Sequence, residues 1–192
     1  MDLTVRKATE KDIPKILDLL VQVDMVHHNG RPDIFKGPAT KYDEEELRAV
    51  IHNKETPVFV CVDENDIPLG HAFCVHKQVI GDSVLTDIRT LYLDDICVDN
   101  DARGKHVGKT LYDYVVAYAK KQGFYNVTLN VWTCNQAAMK FYEAMGLKPQ
   151  RIVMEKNPDL HTVFKILIKT GIFSAYIDDL DSSIYQIRAI QQ

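Results

Sequence analysis

The chain has 192 residues, 46% hydrophobic and 26% charged, which suits one globular domain and leaves no room for a second full one. Its formal net charge of -4 argues against a nucleic-acid partner, which normally requires a clustered excess of Lys and Arg. The four cysteines form no C-x-x-C pair, and neither a signal peptide nor a bilayer-spanning stretch is evident. We therefore expect a cytoplasmic protein with reduced thiols, no metal and no membrane association.

The chain opens with a predicted strand and an amphipathic helix. Residues 3–8 have the composition of a short strand, and Thr9 followed three residues later by Asp12 indicates a capped helix start. The helix should run for about four turns and pack on a sheet through an apolar stripe. The members of this stripe are Ile13, Ile16, Leu17, Leu20 and Val23.

A loop, a second helix and a hairpin are predicted next. Glycines and prolines within residues 27–41 predict the loop, and the adjacent His27 and His28 are expected to be solvated. The second helix covers residues 43–52. Two β-rich runs, residues 57–62 and 69–80, are separated by a polar turn and predict an antiparallel hairpin.

The second half of the chain alternates strands and helices. We predict a central strand over residues 91–98, a helix over 107–122, a strand over 126–132 and a last strand pair over 148–156. Asn135 is the expected N-cap of a short helix before that pair. Mixed strands with helices between them predict an α/β (or α+β) domain of three layers, with a central sheet flanked by helices.

The turn between the central strand and the following helix has the composition of an anion site. Gly104 and Gly108 bracket the first helical turn, where backbone N–H groups lack intrahelical partners and can bind a pyrophosphate. Lys105 and Lys109 add positive charge. A simpler interpretation is that Gly104 only permits a tight turn.

Residues 104–110 also come close to the P-loop of nucleoside triphosphatases. The match is one residue short, Arg103 stands where the P-loop has glycine, and no downstream strand ends in a magnesium-binding Asp. A P-loop-type nucleotide-binding protein is therefore a weaker alternative.

Two linked segments resemble a known family. Residues 94–108, ending in Arg103-Gly104-Lys105-His106-Val107-Gly108, resemble the acetyl-CoA signature of the GNAT superfamily of N-acetyltransferases. Residues 129–147, with Asn135, Ala138, Phe141-Tyr142 and Gly146, resemble its later segment. The resemblance covers roughly residues 3–156, predicts a GNAT domain over residues 1–157, and implies a splayed mixed sheet with coenzyme A in the gap.

The resemblance also implies which residues bind acetyl-CoA. They are Ile96, Cys97, Val98, Arg103, Gly104, Lys105, His106, Val107, Gly108, Lys109, Thr110, Asn135, Ala138, Phe141 and Tyr142. His106 departs from the family pattern, which usually has glycine there. Its imidazole must point away from the phosphates or lie beside them, where a protonated ring would attract negative charge.

The acetyl acceptor is expected to be a primary amine, which arrives protonated and must lose a proton. Alternation along a strand predicts that Asp94 and Asp95 face opposite sides of the sheet. By resemblance to small-amine acetyltransferases, Asp94 is the candidate base, and Tyr142 matches the family's general acid. Both assignments have a non-catalytic alternative. The two carboxylates could lie at a solvated strand end or form salt bridges, and Tyr142 could be an aromatic side chain of the hydrophobic core. Transfer through a covalent intermediate on Cys97 or Cys134 is less expected than direct transfer. Cys97 lies in an apolar strand, where a cysteine is usually a small buried hydrophobic residue.

The acceptor and the C-terminal segment are less defined by the sequence. Residues 27–36 resemble a segment near the acceptor in bacterial members of the superfamily. They are expected to form one wall of the acceptor site. The expected function is acetyl transfer to an amine of a small molecule or peptide, and the alternative is a catalytically silent acyl-CoA-binding module.

Residues 158–192 form an extension beyond the predicted domain. Ile184, Ile187 and Ile190 predict a helix there that docks on the core or supports a homodimer.

Overall fold

The computed structural model describes residues 2–157, which form five strands and four α-helices. The strands are β1 (Thr4–Lys7), β2 (Val58–Val62), β3 (Pro68–Gln78), β4 (Arg89–Val98) and β5 (Asn126–Leu129). The helices are α1 (Ile13–Gly30), α2 (Glu44–His52), α3 (Val107–Lys121) and α4 (Gln136–Ala144). The predicted extension over residues 158–192 lies outside the described residues, so its helix and its dimer role stay predictions.

The strands form one mixed sheet in the order β1-β2-β3-β4-β5. The first three pairings are antiparallel, and β4 pairs with β5 in parallel. Helices α1 and α2 cover one face, where the core includes Ile16, Leu20, Leu47, Val60 and Phe73. Helix α3 covers the opposite face of the sheet, where the core includes Phe59, Ala72, Leu91, Leu111 and Val115. The predicted class, a mixed sheet between two helical layers, is confirmed.

The predicted start of α1 is confirmed, and a buried ion pair reinforces it. The backbone N–H of Thr9 donates to Asp12 at 2.8 Å, and the Arg6 guanidinium donates to both Asp12 oxygens at 2.7 and 2.8 Å. The Asp12 side chain is 1% exposed. Burial opposes its charge, but the hydrogen bonds from Arg6 and Thr9 outweigh burial, so the pKa of Asp12 is lowered.

Three predictions about element bounds and strands are wrong. Helix α1 continues through His27 and His28 to Gly30, where the backbone lies so close to Cys134 that a Cβ would come within 2.7 Å of its sulfur. The two histidines are half-buried rather than solvated. Strand β5 ends at Leu129 rather than at residue 132. Residues 148–157 contain no strand in the described part of the chain, and the apolar side chains of residues 152–154 are exposed there without a partner strand.

A β-bulge in β4 changes the direction of its side chains. Phe73 of β3 lies opposite Asp95 and Cys74 lies opposite Leu93, so Asp94 is an extra residue in β4. Before the bulge Leu91 and Leu93 belong to the core beneath α3, and after it Ile96 and Val98 pack against that same core. The alternation therefore shifts by one residue. The prediction that the two aspartates face opposite sides is wrong, because both face the α1–α2 side.

Candidate functional site

The sheet opens between β4 and β5 at the bulge. Parallel pairing runs from Thr90 with Asn126 to Leu93 with Leu129 and stops there. From Asp94 onwards, β4 has no partner on the β5 side among the described residues. A central strand with one free edge in the middle of a domain leaves backbone groups available to a ligand. At this opening the α1–α2 layer lies on one face of the sheet and the α3 layer on the other.

On the α3 side, the predicted anion turn is formed at the helix N-terminus. Gly104 has φ +75° and His106 has φ +64°, and the His106 carbonyl accepts hydrogen bonds from the Thr110 N–H at 2.9 Å and its hydroxyl at 3.0 Å. Within residues 2–157 the N–H groups of residues 106–109 have no backbone acceptor. The buried Val107 side chain anchors the turn in the core. Free N–H groups at the positive end of a helix suit a phosphate.

Gly108 is the point at which β4, α3 and α4 converge. A Cβ at this position would lie 3.4 Å from Val98 Cγ2 and 3.7 Å from the Phe141 ring. Asn135 caps α4 by accepting a hydrogen bond from the Ala138 N–H at 3.1 Å, as predicted. The structure therefore brings the turn together with two of the predicted cofactor segments, the end of β4 at Val98 and helix α4 at Phe141.

Not every predicted cofactor residue offers its side chain to this opening. The Cys97 thiol lies on the other face of β4, where it donates to the Leu19 carbonyl at 3.4 Å. Lys109 pairs with Asp113 at 2.5 Å along the helix surface. Arg103, Lys105 and His106 are exposed and have no hydrogen-bond partner for their side chains in the described region. Cys97 and Val107 can contribute only backbone groups, whereas the exposed cations are free to approach phosphate.

Tyr142 lies on α4 beside Phe141, with ring centroids 5.3 Å apart. Its hydroxyl makes no hydrogen bond to a described residue. Burial raises the pKa of Tyr142 well above its usual range, and the charge of Asp95 raises it further. The phenol therefore keeps its proton and remains available as a hydrogen-bond donor.

On the α1–α2 side, the two aspartates of the bulge have different partners. Asp94 forms an ion pair with Lys41, which lies in the loop between α1 and α2. Asp95 Oδ2 lies 3.6 Å from His71 Nε2. His71 is fully buried, and neither of its ring nitrogens has a hydrogen-bond partner among residues 2–157. An unpaired buried imidazole is costly, which makes the His71–Asp95 contact a feature of functional interest.

Aromatic side chains form a wall beside this opening. Phe35 stacks on His27 with ring centroids 5.0 Å apart and meets the edge of Trp132, also at 5.0 Å. Arg31 binds Glu155 through hydrogen bonds of 3.0 and 3.1 Å. The loop after α1 is thereby held against the segments that follow β5 and α4.

Comparison with protein families identifies the domain. Residues 24–147 match the acetyltransferase (GNAT) family. The chain belongs to the GNAT family. This match begins within α1 and ends at Leu147, three residues after the end of α4. It therefore includes the bulge, the turn between β4 and α3, and Tyr142.

Individual relatives agree with this assignment. An uncharacterised N-acetyltransferase of Methanocaldococcus jannaschii is 27% identical over 150 residues, which are 78% of this chain and 62% of the relative. The glucosamine 6-phosphate N-acetyltransferase of Arabidopsis thaliana is 32% identical over 68 residues, 35% of this chain and 44% of that enzyme. A mutant of the BH1408 protein from Bacillus halodurans superposes with a TM-score of 0.77 at 26% identity, covering 80% of this chain and 98% of that structure. The matches span less than two thirds of the curated relatives' lengths.

Several features of this GNAT domain were not predicted from its sequence. No sequence pattern pointed to Lys41 or His71. Lys41 contacts Asp94, and His71 contacts Asp95, only after distant segments of the chain have folded together. The bulge did leave a signal in the sequence. The alternating apolar residues change from odd positions, Leu91 and Leu93, to even positions, Ile96 and Val98, across the two aspartates. Within residues 2–157, no group of three or more His, Cys, Asp or Glu side chains is arranged to hold a metal, and no helix is long and apolar enough to cross a membrane.

Proposed function

We propose that this protein is an N-acetyltransferase that moves the acetyl group of acetyl-CoA directly to a primary amine of a small molecule or peptide. The observation that carries the proposal is the opening of the sheet at the β4 bulge. A helix N-terminal turn with unpaired N–H groups lies on one side of it and a pair of carboxylates on the other. Two substrates of opposite charge would therefore approach the same backbone from opposite faces.

Acetyl-CoA fits the α3 side. The unpaired N–H groups of residues 106–109 and the exposed Arg103, Lys105 and His106 would bind its pyrophosphate and neighbouring phosphate. Gly108 leaves the main chain open to close approach between Val98 and Phe141. The thioester end of the molecule would then extend along the free edge of β4, from Val98 towards Asp94.

The amine fits the α1–α2 side. A primary alkylamine is protonated at neutral pH, so a site that binds it benefits from negative charge and must then remove a proton. Asp94 is the proposed base. The bulge places Asp95 on the same face, so the acceptor's ammonium group meets two carboxylates instead of one. The name of the Arabidopsis relative, a glucosamine 6-phosphate N-acetyltransferase, supports an amine acceptor for this site.

Tyr142 is proposed to assist the departing thiolate. Because burial raises its pKa, complete proton transfer from the phenol to a thiolate is uphill, but a hydrogen bond from the hydroxyl still stabilises the charge that develops on sulfur. Its role is therefore that of a donor whose bond strengthens as the carbon–sulfur bond breaks.

Direct transfer is favoured over a covalent cysteine intermediate. Burial raises the pKa of Cys97 to about 12 and that of Cys74 to about 12, so neither thiol supplies a thiolate nucleophile near neutral pH. The Cys97 sulfur also faces α1 rather than the opening. The amine nitrogen would therefore attack the acetyl carbon itself.

The test is coenzyme A release from the full chain mixed with acetyl-CoA and a panel of primary amines, including polyamines, amino sugars and lysine peptides. We expect amine-dependent release with an acetylated product of matching mass. Tight binding of acetyl-CoA without any release would instead identify a catalytically silent acyl-CoA-binding module.

A further inference from the structure

The ion pair between Lys41 and Asp94 places an amine of the protein itself at the acceptor side of the opening. Lys41 Nζ contacts Asp94 Oδ2 and lies 5.4 Å from the centroid of the Tyr42 ring. The Lys41 side chain is 46% exposed and that of Asp94 is 23% exposed. The pair is therefore at the mouth of the site, where a solute can reach it.

The group that occupies Asp94 has the chemistry of the proposed acceptor. A lysine side chain ends in a primary alkylammonium, and Asp94 is the carboxylate at which the sheet opens. The charge of Asp94 is compensated by Lys41, whereas the only basic side chain within 4 Å of the Asp95 carboxylate in residues 2–157 is the buried His71. An external ammonium group that binds Asp94 must therefore displace the ammonium group of Lys41.

We propose that Lys41 is a tethered competitor for the acceptor amine, occupying the acceptor's ammonium subsite until a cationic acceptor displaces it. This inference rests on the proposed N-acetyltransferase function. It makes Lys41 a specificity-determining residue, because an acceptor must carry enough positive charge to exchange with it. Neutral or weakly cationic amines would leave Lys41 in place.

A purely structural role for Lys41 is less consistent with its surroundings, because the loop is already anchored on both sides of it. The Ala39 N–H donates to Asp24 at 3.0 Å, and the Phe35 carbonyl is 2.8 Å from His28 Nδ1. Tyr42 packs on Phe73 with ring centroids 5.7 Å apart. Removing the Lys41 ammonium leaves each of these contacts intact.

The experiment compares steady-state kinetics of wild type, Lys41→Met and Lys41→Arg with the best amine of the panel. An ion pair this exposed is worth at most about 1 kcal/mol, which corresponds to about fivefold in an equilibrium. We expect Lys41→Met to lower the KM for the amine about fivefold without changing kcat or the KM for acetyl-CoA. Lys41→Arg keeps the charge and should retain a KM at or above that of wild type.

Two further variants separate charge from structure. Lys41→Gln is a second neutral variant that keeps a polar side chain, and it should lower the KM as methionine does. Lys11→Met removes the lysine of another exposed ion pair, with Asp66, which includes neither aspartate of the bulge, and should change neither KM.

An unchanged or raised KM for the amine in both neutral variants would overturn the inference, as would an equal fall in Lys41→Arg. These results leave the proposed function standing, because wild type would still release coenzyme A. Absence of amine-dependent release from wild type would overturn the function and this inference together.

Discussion

Replacing Gly108 with alanine should raise stability and weaken acetyl-CoA binding at once. The added Cβ would lie 3.4 Å from Val98 Cγ2 and 3.7 Å from Phe141, which are ordinary contact distances, so the unliganded fold accepts it. Glycine costs about 0.5–1 kcal/mol relative to alanine within a helix. We therefore expect the free energy of unfolding to rise by up to about 1 kcal/mol, which is about 2–4 °C in Tm for a chain of this size.

The same methyl group would stand beside the N–H groups proposed to bind the pyrophosphate. Loss of one hydrogen bond to a charged group costs about 1.5–3 kcal/mol, so acetyl-CoA affinity should fall about tenfold or more. Thermal unfolding without ligand and calorimetric titration with acetyl-CoA measure the two effects separately. Lys120→Ala, at the exposed far end of α3, is the control and should bind acetyl-CoA normally. A stabilised Gly108→Ala protein with wild-type affinity would refute the phosphate role of this turn.

Two other predictions concern Tyr142 and Asp12. Tyr142→Phe should lower kcat about 100-fold while the KM for acetyl-CoA changes less than twofold, and full kcat would exclude the donor role. Asp12→Asn breaks a buried ion pair and should destabilise the fold by about 3 kcal/mol at pH 7, measured by urea unfolding. Since folding lowers the pKa of Asp12, its contribution is present above the unfolded value of about 3.9 and is lost as pH falls through the folded value. The difference between the two proteins should therefore shrink in acid, and a constant difference would show that Asp12 acts through shape rather than charge.

The local features of the fold were predictable because they depend on neighbouring residues. The reciprocal hydrogen bonds of Thr9 with Asp12 and the cap supplied by Asn135 both act over three residues, within the reach of sequence patterns. The hairpin of β2 and β3 is equally local, since only a short polar turn separates its strands. The turn between β4 and α3 and helix α4 were placed correctly for the same reason.

The remaining features depend on contacts between distant segments. The last residue of α1, Gly30, lies against Cys134, more than a hundred positions away. Residues 148–157 have the composition of strands, but a strand also requires a hydrogen-bonding partner, which they lack among the described residues. Lys41 and Asp94 are 53 positions apart, so their ion pair is invisible in either segment alone.

The bulge at Asp94 also bears on how such a site could be redesigned. An extra residue in one strand is absorbed locally, so the ladders before Leu93 and after Asp95 keep their registers. The side chains of Asp94 and Lys41 belong to neither hydrophobic core cluster. Libraries that vary these two residues would explore new acceptors at little cost in folding stability, whereas the same changes three residues away at Leu91 would disrupt the core.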